Sequence, residues 1–152
     1  MWNPHVGGKK IPPQVRDRTE QRIRAHAAAH YAGRFERLGI RFRGALCYID
    51  AYTSPEEPSR SLLRVSRQTR DQYFERARQV PIHLCRLRYF GDEDGWSLAF
   101  FTYSNERYSP CCFRDGEVHG TPEAGFDVGS GYLPMAENRR LRGRRRGRRT
   151  TR

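Results

Sequence analysis

Lysine is almost missing from this chain. Lys9 and Lys10 are the only two among 29 basic residues; the rest are arginines. Long apolar runs are missing as well. No stretch approaches the twenty consecutive apolar residues that span a bilayer, and residues 1–13 carry Pro, Gly and Lys without the apolar centre of a secretory signal. A soluble, cytoplasmic protein with no membrane partner is the expectation. Cysteines are few and never closely paired in the manner of zinc motifs. Cys47, Cys85, Cys111 and Cys112 read as free thiols on strands. There is no glycine-rich phosphate loop and no Gly-x-Ser-x-Gly elbow. No catalytic residue set, metal or cofactor is therefore expected, and at 152 residues a single domain is.

What is present is positive charge, unevenly placed. The formal net charge is +12, from 29 basic and 17 acidic residues. Residues 139–152 hold nine arginines and no acid, which leaves 20 basic against 17 acidic elsewhere. Like charges repel along such a segment, so 134–152 is expected to be a disordered basic tail. Arg139, Arg140, Arg142, Arg144, Arg145, Arg146, Arg148 and Arg149 form a candidate polyanion-binding set. Phosphate contacts position a ligand without reading its sequence, so such binding would be sequence-independent. An arginine bias of this kind also fits a GC-rich coding sequence running past the end of a domain.

The remainder divides into alternating elements. After a flexible start over 1–13, good helix formers fill 14–32, with Val15, Thr19, Ile23, Ala27 and Tyr31 on one face. Strand patterns cover 39–52, where Ile40 and Phe42 alternate with Arg41 and Arg43. A second helix is predicted over 66–80 and ends at Pro81. Three strands follow at 82–90, 96–103 and 108–113, joined by turns too short for parallel crossovers. Thr121-Pro122-Glu123 has the cap, proline and acid of a helix start. Gly125, Gly129 and Gly131 then suggest a helix lying close on a sheet. The predicted fold is α+β: an antiparallel sheet of about four to five strands with N-terminal, middle and C-terminal helices over residues 14–133.

Several constellations carry chemistry. Arg41 with Arg43, and Arg86 with Arg88, project in pairs from their strands. If those strands are neighbours, a sheet-face patch forms from Arg41, Arg43, His83, Arg86, Arg88 and Tyr103, with Tyr89 and Tyr108 as further rings for stacking bases. His83 and Cys85, two apart on a strand, are expected to share a face. A zinc site from Cys47, Cys85, Cys111 or Cys112, and His83 or His119, is the weaker alternative to core thiols. His26 and His30 share a helix face, but Ala27 stands where a metalloprotease helix has Glu. Asp92, Glu93 and Asp94 read as a solvated turn, and Asp50 as a strand-end carboxylate in water, the alternative being a lone buried carboxylate.

The strings Arg41-Phe42-Arg43-Gly44, Cys47-Tyr48-Ile49-Asp50-Ala51-Tyr52, His83-Leu84-Cys85-Arg86-Leu87-Arg88-Tyr89-Phe90-Gly91, Gly95-Trp96-Ser97-Leu98-Ala99-Phe100 and Gly120-Thr121-Pro122-Glu123 resemble a family of small bacterial proteins with no assigned activity. The resemblance spans about three-fifths of the chain, roughly residues 41–133, and implies a shared fold and nothing more. The expected function is a non-enzymatic binding module with sequence-independent nucleic-acid affinity. The rivals are a small toxin-like ribonuclease using Arg86, Arg88, His83 and Tyr103, and a protein-partner module using Trp96 and Phe101.

Overall fold

The computed structural model describes residues 3–135. The tail arginines Arg139 to Arg149 lie outside the described residues. Helix α1 (Pro13–His30) leads into strands β1 (Arg37–Arg43) and β2 (Leu46–Tyr52). Short helices α2 (Arg60–Ser66) and α3 (Arg70–Arg78) precede β3 (Ile82–Arg88), β4 (Trp96–Thr102), β5 (Arg107–Cys111) and the two-residue β6 (His119–Gly120). Helix α4 (Pro122–Gly129) runs into a 3-10 turn, Ser130–Tyr132. The strands form one antiparallel sheet in the order β1-β2-β3-β4-β5, with β6 also pairing β4. This is the α+β fold expected from the sequence, and among the described residues no helix is long and apolar enough to cross a membrane.

The middle helix departs from expectation. Arg67 adopts a left-handed conformation with φ 54° and ends α2, and Thr69 then caps α3 in a reciprocal capping box with Gln72. Two local signals override the single periodic run over 66–80: a Ser59 cap on Leu62 and the Thr69-x-x-Gln72 box. Neither helix buries a side chain.

Helices α1 and α4 cover one sheet face. Val15, Thr19, Ile23 and Ala27 are the buried stripe of α1, and Trp96, Phe126, Ile49, Leu84, Leu87 and Leu98 complete the core. A Cβ on Gly125 would lie 2.7 Å from Leu87 Cδ2, and one on Gly129 would lie 2.9 Å from the Leu84 carbonyl. The close seat of α4 on β3 therefore requires both glycines. Ile11 falls inside the stretch expected to be flexible, yet it is fully buried, and its N–H donates to the Gly44 carbonyl at 3.0 Å.

The two covering helices are clasped by ion pairs. Arg22 of α1 donates to both Glu123 oxygens, at 2.7 and 2.9 Å, and to Asp94 at 2.8 Å. Asp127 of α4 accepts from Tyr31 at 2.6 Å and lies 2.7 Å from His26 Nε2. Burial alone would raise the pKa of Glu123 and Asp127. Arg22 outweighs it for the first, and Tyr31 with His26 for the second, so both sit below the usual carboxylate range. A depressed carboxylate stabilises the fold above its unfolded pKa and ceases to do so as pH falls through its folded pKa. Thermal stability is thus expected to drop as pH is lowered from about 5 toward 3, and to drop less in Glu123→Gln. A melting temperature that stays flat across that range in the native chain contradicts the clasp.

Candidate functional site

The sheet face opposite α1 and α4 is where the site lies. Strand register assigns its residues. Arg37 pairs with Tyr52, Gly39 with Asp50, Arg41 with Tyr48 and Arg43 with Leu46, while Leu38, Ile40 and Phe42 turn to the core. On β3, Arg86 stands opposite Tyr48 and Arg88 opposite Leu46. On β4 and β5, Phe101 pairs with Tyr108. Arg37, Arg41, Arg43, Arg86 and Arg88 therefore share one face, with Asp50 as the only acid among the strand residues on it. Of the six residues expected to form a sheet-face patch, Arg41, Arg43, His83, Arg86 and Arg88 lie on this side, and Tyr103, just past β4, packs on Phe101 and Tyr132.

His83 reaches it through an irregularity. The register between β2 and β3 shifts so that Ile49 faces Cys85 but Asp50 faces His83, leaving Leu84 as the extra residue of a β-bulge. Directly opposed residues share a face, and neighbours along a strand do not. Cys85 therefore points into the core with Ile49, and His83 points outward with Asp50. The expectation that His83 and Cys85 share a face is corrected: the bulge changes the parity of the strand.

Asp50 is also corrected. It is not a strand-end carboxylate in water but is buried, with 4 % of its surface exposed. One oxygen lies 2.8 Å from His83 Nδ1 and the other 3.4 Å from an Arg41 terminal nitrogen. A buried carboxylate needs such partners. His83 is more open, its side chain 30 % exposed. Among the described residues its Nε2 makes no hydrogen bond, and its ring lies 4.6 Å from that of Phe101 and 6.3 Å from that of Tyr108. Its backbone N–H donates to the Tyr103 hydroxyl at 2.9 Å.

The arginines are arranged over aromatic rings. Arg37 sits 3.5 Å above Tyr52, Arg41 5.0 Å above Tyr48 and Arg86 5.1 Å above Tyr108. The small Ala99, between Arg86 and Pro110 in the register, lets Arg86 reach across β4 to β5. Planar guanidinium groups stacked in this way keep their edge N–H groups for a ligand. The Tyr108 hydroxyl is buried with no hydrogen-bond partner among the described residues, and burial followed by the nearby Asp50 charge pushes its pKa up. Burial and then Arg86 lower the pKa of Arg88, whose guanidinium donates to the Gly7 carbonyl at 2.8 Å. Burial and then Arg88 lower that of His5 in the same corner.

Beside the β1 edge a cleft of about 460 Å³ is lined by Arg24, Arg37, Arg41, Asp50, Tyr52 and His83. Gly39 opens it: a Cβ there would lie 3.3 Å from the Tyr52 ring and 3.8 Å from the Asp50 Cβ. The cleft thus reaches both Asp50 and His83.

The other sequence candidates lie elsewhere. Tyr89 is buried against Trp96, so it is not a stacking platform, and Trp96 is fully buried, which removes it as an exposed partner contact. Cys47 and Cys85 are fully buried, and burial drives both thiol pKa values up; Cys111 is pushed up to about 11, first by burial and then by Cys112. Among the described residues no three His, Cys, Asp or Glu side chains converge to hold a metal. His26 bonds Asp127 and packs 4.7 Å from His30. Sequence reasoning names Asp50 and Phe101 but not the contact each makes with His83, and it misses the tyrosine–arginine stacks. The one available signal was the density of Tyr and Arg on 41–52 and 101–108. No family model, curated protein or solved structure matches the chain.

Proposed function

We propose that the chain binds single-stranded nucleic acid on the open sheet face, and that the arginine-rich C-terminal segment adds sequence-independent affinity. The observation that carries this reading is five arginines against one carboxylate on a single sheet face, with three of the guanidinium groups stacked on tyrosines. The one acid, Asp50, is already matched by His83 and Arg41. Such a face offers a ligand cations for phosphates and rings for unstacked bases. Bases of a duplex stay within their own stack, so a flat aromatic face favours single strands.

Tyr132, which follows α4, donates to the Phe101 carbonyl, and its ring packs 5.3 Å from Tyr103. Met135 is three residues further, within about 11 Å along the chain. Leu133, Pro134 and Met135 lie against Arg34, in the link between α1 and β1.

Fluorescence anisotropy with a single-stranded RNA and a duplex of equal length, over a salt series, tests this. The native chain is expected to prefer the single strand. Replacing Arg144, Arg145, Arg146, Arg148 and Arg149 with alanine should lower the log–log salt slope by about 3.5 for the single strand and leave the preference intact. A tail variant that binds both ligands equally, or neither, overturns the role of the sheet face.

A further inference from the structure

Resting on the binding reading above, the geometry points to RNA cleavage by a dyad. We propose that Asp50 and His83 act on bound RNA, with His83 Nε2 removing the proton of a ribose 2′-hydroxyl. Three observations support it. First, the pair is asymmetric: Asp50 is buried while His83 is partly open, its side chain 30 % exposed. Second, the carboxylate holds Nδ1 at 2.8 Å, which fixes the proton on that nitrogen and leaves the Nε2 lone pair free as a base. Third, His83 shares its cleft with Arg37 and Arg41, so a phosphate held by those guanidinium groups lies beside the base. The Leu84 bulge is what turns His83 to the face of Asp50, and bulges are enriched where a side chain is re-aimed beside a reacting centre.

The chemistry balances without a redox change. His83 takes the 2′-hydroxyl proton, and the imidazolium is stabilised by Asp50. The 2′-oxygen bonds to the adjacent phosphorus, whose growing negative charge is met by Arg37 and Arg41. The bond from phosphorus to the 5′-oxygen breaks. That oxygen takes a proton from water, and the hydroxide formed recovers the proton held by His83. The products are a 2′,3′-cyclic phosphate and a 5′-hydroxyl. DNA lacks the internal nucleophile, so it binds and stays intact.

The test uses the full chain and an end-labelled RNA oligonucleotide, beside the same oligonucleotide with a 2′-deoxy residue at the cut position. Native protein is expected to cut the first to a cyclic phosphate end and spare the second. His83→Gln, purified identically so that a contaminating nuclease would show, should lose about 100-fold or more in single-turnover rate while keeping its RNA affinity within threefold. Asp50→Asn should also slow cleavage, with binding retained. In His83→Ala, added imidazole should restore part of the rate, a response a merely structural histidine would not give. RNA that is bound but never cut, or cut equally fast by His83→Gln, overturns the dyad and leaves the binding reading standing. Failure to bind RNA at all overturns the binding reading, and the dyad with it.

Discussion

Replacing Trp96 with alanine is expected to destabilise the protein by about 3–5 kcal/mol, measured by urea unfolding. Trp96 opens β4 and is fully buried. Its ring packs 5.0 Å from that of Tyr89, and its indole N–H donates to the Glu93 carbonyl at 2.7 Å. It is also the residue at which β6 joins β4, through Gly120. Truncation removes the largest fully buried side chain, leaves a cavity in the core, and takes one of two donors from the Glu93 carbonyl, which keeps the Arg22 guanidinium at 3.2 Å. Trp96→Phe separates these effects: it keeps a ring but loses the hydrogen bond, and should cost about 1–3 kcal/mol. The ordering of the two variants is the decisive observation. A Trp96→Ala chain within 1 kcal/mol of native would mean that β4 does not anchor the core.

Reversing the charge of Arg41, Arg86 and Arg88 to glutamate is expected to weaken single-stranded RNA binding on the order of a thousandfold at low salt. Each substitution removes a cation from the face and adds an anion, and at Arg41 that anion replaces a partner of the buried Asp50. The same change in net charge at Arg64, Arg76 and Arg78, exposed residues on α2 and α3, is the control. It should reduce affinity modestly through the overall field and leave the preference for single strands unchanged. Equal losses in the two triple variants would show that total charge, and not the sheet face, governs binding. Arg41 is one of two partners of the buried Asp50, so circular dichroism is read on both variants first, and the double variant Arg86→Glu with Arg88→Glu, which leaves Arg41 in place, repeats the test if the triple variant unfolds.

Much of the architecture is visible in local sequence. The 3.6-residue spacing of Val15, Thr19, Ile23 and Ala27 marks the buried stripe of α1, and Thr121 is the observed cap of α4, accepting from the Ala124 N–H at 3.1 Å. The alternation of Ile40 and Phe42 with Arg41 and Arg43 assigns the two sides of β1. The break between the two helices over 60–80 is less legible, because a polar cap and a single left-handed residue decide it while the apolar pattern runs on. Asp50 and His83 are separated by 33 positions, and nothing in either neighbourhood announces the other.

Composition and short-range periodicity by themselves determined an α+β chain with an antiparallel sheet, arginines on alternate strand positions and a polycationic C-terminal segment, because helix stripes, caps and strand alternation are set within a few residues. Only the tertiary structure decided that the arginines of β1 and β3 share a face across β2, that Asp50 is buried, and that a bulge at Leu84 brings His83 to it. Those outcomes depend on strand register, and one residue of slip exchanges every side chain between core and solvent. Register is a balance over the whole sheet and its covering helices, so no single stretch of sequence encodes it.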